Sequence, residues 1–257
     1  MRKLRIISLA IAGIMALTAV VAFATQTNTY TVKGSVSPNK VGTKTKPTPV
    51  LLKFGYTVSE QSGKRPALID QYDIFFENGQ VNTKLFPKCS AASIDAAQSD
   101  AACPKGSLVG SGNVENKAGA TSDESANTIS CHLDLKLYNE GNQHMALYLH
   151  GAPNSDPAKN CPLSIDKAID ARFIKRTRGT SLVFNVDQTL LHPAPGFDNA
   201  VVNVNSTVNK LTKTVAGKKR GFFESAGKCR NHKSAIKVTF RQVSGTKSTV
   251  TSTAACR

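Results

Sequence analysis

His132, Asp134, His144 and His150 fall on one hairpin candidate running from Ser130 to His150. Two imidazoles facing each other across a strand pair can share a zinc or copper ion. Leu133, Leu135 and Leu137 must share a face with Met145, Leu147 and Leu149, which only an even offset permits. A three-residue loop, Glu140-Gly141-Asn142, pairs Leu137 with Met145, Leu135 with Leu147 and Leu133 with Leu149. His132 then stands opposite His150, with Asp134 two residues along. The chain has no H-E-x-x-H and offers no firm third ligand. Alternation demands a polar outer face here in any case, so the expectation is a solvated face, no metal and no cofactor.

Other chemistry is weaker still. Asp70, Asp73 and Glu77 invite a glycosidase reading. Asp73 and Glu77, four residues apart on a strand, stand about 13 Å apart, whereas an acid and its partner carboxylate need about 5 to 9.5 Å. Asp70 points the other way in a regular strand. No G-x-S-x-G occurs, and S-x-x-K at Ser37, Ser164, Ser225, Ser234 and Ser244 begins no convincing helix and lacks K-T-G. His192 has Asp187 and Asp198 nearby in sequence but no nucleophile, and reads as part of a rigid Pro-rich loop. No catalytic residue is expected.

Charge is the more telling feature. Residues 25–65 hold seven Lys/Arg against Glu60, residues 66–204 eleven against fifteen acids, and residues 205–257 twelve against Glu224. Lys218, Lys219 and Arg220 sit beside Phe222 and Phe223, while Lys237 and Arg241 alternate with Ile236, Val238 and Phe240. These five are the expected surface for an anionic partner, by charge more than by stacking, because the chain has no Trp.

The elements that must carry these residues are strands. With 257 residues, 40% hydrophobic and 19% charged, the chain folds, and no C-x-x-C marks a metal ribbon. Runs rich in Val, Leu, Ile, Phe and Thr recur between Gly, Pro, Asn and Asp clusters: Leu51 to Val58, Leu108 to Glu115, Ile169 to Lys175, Ser181 to Val186, Val201 to Val208, Ser234 to Arg241 and Ser248 to Thr253. This pattern predicts an all-β, antiparallel β-sandwich, jelly-roll or Ig-like. Asn78-Gly79 predicts a type I′ hairpin with Phe76 facing Val81. Residues 25–49 are Thr-, Lys- and Pro-rich with a possible edge strand at Tyr30 to Lys33, and residues 50–257 form the domain.

Arg2, Lys3 and Arg5 precede an apolar stretch from Ile6 to Phe23 that ends in Ala22-Phe23-Ala24, a secretory signal over residues 1–24 with cleavage expected near Thr25. No transmembrane anchor remains after cleavage. An even six cysteines in an exported chain read as three disulfides. Their order favours sequential pairing: Cys89 with Cys103, Cys131 with Cys161, Cys229 with Cys256. The one helical signal, Ser90 to Ala102, conflicts with the first pair. Unbroken helix would hold those cysteines about 21 Å apart, against about 4.4 to 6.8 Å for a disulfide. The helix must therefore be short, near residues 90–98, with the chain doubling back before Cys103.

Phe86-Pro87-x-Cys89 followed by Cys103-Pro104-x-Gly106-Ser107-x-Val109-Gly110-x-Gly112 resembles a cysteine motif of uncharacterised secreted proteins of actinobacteria-like bacteria. The resemblance covers about a tenth of the chain. It implies secretion and a β-rich fold, and it brings no activity or catalytic residue. The resulting expectation is a non-catalytic, secreted or envelope-associated protein whose basic C-terminal surface meets an anionic envelope polymer or acidic polysaccharide. Nucleic acid fits the charge but not the compartment. An extracellular hydrolase and a structural surface subunit are the alternatives.

Overall fold

The computed structural model describes residues 27–125, 129–151, 161 and 164–257; the expected signal, residues 1–24, lies outside them. The first strands are β1 (Asn28–Ser37), β2 (Thr48–Pro49), β3 (Leu51–Glu60), β4 (Ile69–Glu77) and β5 (Gly79–Val81). The middle holds α1 (Ala91–Ala97), β6 (Leu108–Ala120), β7 (Ile129–Gly141), β8 (His144–Gly151), β9 (Ile165–Arg176), β10 (Gly179–Asn185) and α2 (Gln188–Leu191). The chain closes with β11 (Phe197–Val208), β12 (Thr212–Val215), β13 (Lys218–Gly221), β14 (Phe223–Ser225), β15 (Lys233–Gln242) and β16 (Lys247–Ala255).

Alternation drives the architecture. In β7, Cys131, Leu133, Leu135 and Leu137 are buried while His132, Asp134 and Lys136 between them are half-buried, and in β15 Ile236, Val238 and Phe240 are buried. One apolar face per strand lets the strands join edge to edge and close their apolar side on itself. Eleven of them form one antiparallel sheet in the order β1-β3-β11-β6-β7-β8-β9-β10-β4-β15-β16. The all-β, antiparallel expectation holds, with the walls of the core joined in a continuous ladder.

The sheet curls until its ends meet. Tyr30 of β1 stacks on Phe240 of β15 with ring centroids 4.4 Å apart, and the Gln242 side chain donates to the Tyr30 hydroxyl at 3.1 Å. Beyond β1, the Val41 N–H donates to the Arg257 carbonyl and the Arg257 N–H to the Asn39 carbonyl, both at 2.9 Å. The Thr-, Lys- and Pro-rich N-terminal segment thus supplies a full edge strand, all ten residues of β1 pairing with β3.

Three disulfides join Cys89 to Cys103, Cys131 to Cys161 and Cys229 to Cys256, with α-carbons 5.3, 4.3 and 5.8 Å apart. The helix is as short as the first of them requires. Ser90 Oγ accepts the Ser93 N–H at 3.1 Å to start α1, and Gln98, at φ 48°, ends it in the left-handed region. Its Ala91 and Ile94 pack with Tyr138, Ala146, Tyr148 and Ala168 as a small second core on the outer side of β7, β8 and β9.

Two local expectations are corrected. Leu135 pairs with Leu149 and Leu137 with Leu147, so the β7–β8 register slides by two residues while keeping the same inward face. The turn is Asn142-Gln143, with φ of 47° and 67°, and an irregularity between Asn139 and Gly141 absorbs the extra residue. Asn78-Gly79 makes no hairpin either. Asn78 alone takes positive φ, 61°, and Gly79 begins β5, which pairs with β14 while β4 pairs with β10 and β15.

Candidate functional site

The corrected register changes the histidine row. Asp134 of β7 stands opposite His150, whose other neighbour is Asp166 of β9, and His132 faces Glu115 of β6. His132 and His150 therefore do not face each other, and a shared ion between them loses its geometry. His150 Nδ1 lies 2.7 Å from Asp166 and His144 Nδ1 2.7 Å from Asp170. Among the described residues no three His, Cys, Asp or Glu side chains gather as metal ligands would.

The carboxylates of β4 are counter-charges. Asp73 accepts from Arg176 Nη2 at 2.9 Å and Glu77 from Arg178, while Asp70 takes a two-pronged contact from Arg241 at 2.9 and 3.0 Å. A bulge opposite Arg241 and Gln242 brings Asp70 against that arginine, where a regular strand would turn it away. His192 pairs with Asp198 at 2.9 Å, and Asp198 also accepts from Thr121 Oγ1 at 3.0 Å.

The five cations expected to form one surface sit on separate elements. Lys218 and Lys219 are exposed on the β12–β13 hairpin, whereas Lys237 lies on β15 opposite Thr251 and Phe75. Arg241 is held by Asp70. Arg220 is a structural cation: its Nε and Nη2 reach the two oxygens of Glu224 at 3.0 and 2.9 Å, and Glu224 is fully buried. Burial by itself would raise the Glu224 carboxyl. Hydrogen bonds from Arg220 and the Gly221 N–H, with Gln80 adding another, outweigh it and hold the group below the ordinary Glu range.

Charge converges elsewhere, on a cleft of about 790 Å³ whose cationic lining comes from four parts of the chain. The end of β9 and the following turn contribute Lys175, Arg176 and Arg178; the segment after β14 contributes Lys228 and Arg230; Lys44 and Arg220 complete it. Among the described residues no Asp or Glu lines it. Arg176, Arg178 and Arg220 each have a carboxylate partner. Lys44, Lys175, Lys228 and Arg230 are exposed and, among the described residues, lie within ion-pair distance of no carboxylate.

Asn78 holds the walls together. Its N–H donates to the Arg178 carbonyl at 2.7 Å, its carbonyl accepts from Ala226 at 2.7 Å, and its side chain spans the Lys228 backbone and Ser234 Oγ. Gly227 must lack a side chain, because a β-carbon there would lie 2.2 Å from Asn78 Oδ1. Gly42 is tied to the same wall by its N–H to Ser225 at 3.1 Å and its carbonyl to Gly227 at 2.9 Å, which brings the Lys44 loop alongside. The Cys229–Cys256 bond then pins the residue between Lys228 and Arg230 to the end of β16. None of these anchors is a carboxylate, so Lys44, Lys228 and Arg230 are positioned without being neutralised.

The sequence missed this site because Lys175, Arg176 and Arg178 lie in its net-acidic middle. The available signal was local: Lys175-Arg176-Thr177-Arg178-Gly179, a basic cluster at a turn. No protein-family model matches this chain, and no curated protein or solved structure matches it either.

Proposed function

We propose that this protein is an exported, non-catalytic binding module that holds an acidic polymer of the cell envelope, or an acidic polysaccharide, in the cleft between the β9–β10 turn and residues 226–230. The observation that carries the reading is the set of four exposed cations, Lys44, Lys175, Lys228 and Arg230, around a cleft lined by no carboxylate among the described residues. Like charges brought together with no counter-charge repel one another, and an anion relieves that repulsion while shedding counterions. The arginines add shape to charge. Their planar guanidinium groups, already oriented by Asp73, Glu77 and Glu224, keep free N–H groups for sulfate, phosphate or carboxylate. Three disulfides, and no helix among the described residues long and apolar enough to cross a membrane, are compatible with an extracellular setting.

Titration of labelled dextran sulfate by fluorescence anisotropy tests the reading. Binding should be strong at 0.1 M salt and collapse toward 1 M, as the Debye length falls from about 10 Å to about 3 Å. Absence of binding at low salt, or binding indifferent to salt, would remove its support.

A further inference from the structure

A second basin, of about 300 Å³, adjoins the basic cleft on the outer face of β4, β15 and β16. Arg178 and Arg230 line both spaces, so each opens onto the other across those two side chains. Phe75, Glu77 and Lys233 belong to the new basin alone. Glu77, the one carboxylate there among the described residues, is already engaged: it accepts from Arg178 and takes the Ala235 N–H at 2.8 Å.

Arg230 and Lys233 are held face to face. They form an antiparallel bridge closed by Asn231-His232, whose φ of 50° and 56° suit a type I′ turn, and the Lys233 N–H donates to the Arg230 carbonyl at 3.0 Å. The His232 carbonyl accepts from Cys256 at 3.0 Å, and the Cys229–Cys256 bond fixes the residue before Arg230. Like charges directly opposite on paired backbone repel each other. Both side chains are exposed and, among the described residues, neither lies within ion-pair distance of a carboxylate. An anion between them relieves that repulsion.

Phe75 indicates which anion. The alternation that buries Tyr72, Ile74 and Phe76 turns Phe75 outward, between the charged Asp73 and Glu77 and opposite Lys237 of β15. It is half-buried, and no other aromatic ring stacks on it among the described residues. The face of a benzene ring carries the negative part of its quadrupole, so it attracts the C–H face of a sugar and repels a bare phosphate or sulfate group. We propose that the ligand of the cleft is an acidic polysaccharide whose chain continues past Arg178 and Arg230 into this basin, laying one sugar ring on Phe75 while its acid group meets Arg230 and Lys233. The proposal rests on the anion-binding reading of the cleft and narrows it. A polyphosphate chain carries the charge without the ring and gains nothing from Phe75.

Oligogalacturonate and polyphosphate, matched in number of charges, are the probes, and isothermal titration of the full-length mature protein at 0.1 M salt is the measurement. Phe75→Ala should weaken oligogalacturonate at least fivefold and polyphosphate less than twofold, while Phe75→Tyr, which keeps the ring face, should bind both as before. Lys233→Gln, whose side chain lies outside the cleft, should weaken oligogalacturonate at least twofold. A readout that needs no variant is the nuclear Overhauser spectrum of the unaltered protein, in which Phe75 ring protons should show contacts to sugar C–H protons. Binding of neither polymer by the unaltered protein would remove the cleft reading and this inference together. Binding of both, with Phe75→Ala harmless or equally harmful to the two, or with no Phe75 contact to the sugar, would overturn this inference and leave the cleft reading standing.

Discussion

The outer face of β7, β8 and β9 and the basic cleft are both rich in charge, yet they use it in opposite ways. Beneath α1, cations meet carboxylates: Lys136 with Asp100 at 2.5 Å, and Lys167 with Asp95 at 2.7 Å and Asp187 at 3.6 Å. The histidines there pair with Asp166 and Asp170. These contacts are local and compensated, and they fasten a two-turn helix to the sheet. Around the cleft Arg176, Arg178 and Arg220 are paired in the same manner, but Lys44, Lys175, Lys228 and Arg230 are left over. Compensated charge fixes geometry, and uncompensated charge on a fixed frame becomes a field that acts on something else.

If the frame holds the field in place, breaking the frame should harm both stability and binding. The largest effect is expected from replacing Cys229 and Cys256 by serine. The bond closes a loop with a sequence separation of 27, worth about 3.5 kcal/mol by the loop-entropy relation. Urea denaturation should show that loss, and polyanion binding should weaken with it because Lys228 and Arg230 lose their anchor.

Glu224→Gln comes next. It leaves Arg220 without its carboxylate, a change that costs about 3 to 5 kcal/mol in a fully buried pair, with the lower end expected because Arg220 is one-third exposed. The pH dependence sharpens the point. The Glu224 carboxyl sits below its ordinary range in the folded protein, so its contribution is complete above the unfolded pKa of about 4.3 and disappears as pH falls through the lower folded value. Thermal melts of the unaltered protein should therefore drop more steeply from pH 5 to pH 3 than those of Glu224→Gln.

On the compensated side the effects should be smaller and confined to stability. Asp95→Asn removes the Lys167 pair and weakens acceptance of the Ala168 N–H, which Asp95 Oδ1 takes at 2.7 Å. A loss of about 1 kcal/mol is expected, with polyanion affinity unchanged. A parallel loss of affinity would mean that the two regions are not distinct.

Much of the frame was legible in the sequence, because period-two alternation survives any sheet topology. Leu133, Leu135 and Leu137 had to face inward wherever their partners stood, and the geometry of a disulfide capped the length of α1. Register was not legible to the same degree. Burial requires an even offset but does not choose among even offsets, and the choice fell to Asn142-Gln143, where two non-glycine residues adopt positive φ. Asn78 misled for a related reason: Asn-Gly favours a hairpin locally, but β4 takes its partners β10 and β15 from distant parts of the chain, and Asn78 became the link between two cleft walls. The cleft itself was hidden because summing charge along the chain cannot show which cations meet in space. Arg220 looked like part of a free basic run, and only the fold reveals Glu224 behind it.

The most direct test of the central claim is a charge-matched comparison. Lys175→Glu with Lys228→Glu, and Lys218→Glu with Lys219→Glu, alter net charge by the same amount, the first pair in the cleft and the second on the exposed β12–β13 hairpin. Dissociation constants for dextran sulfate at 0.1 M salt should rise at least tenfold for the cleft pair and less than threefold for the hairpin pair, with melting temperatures alike. Equal weakening by the two pairs would show that total charge and not the cleft governs binding, and would contradict the account.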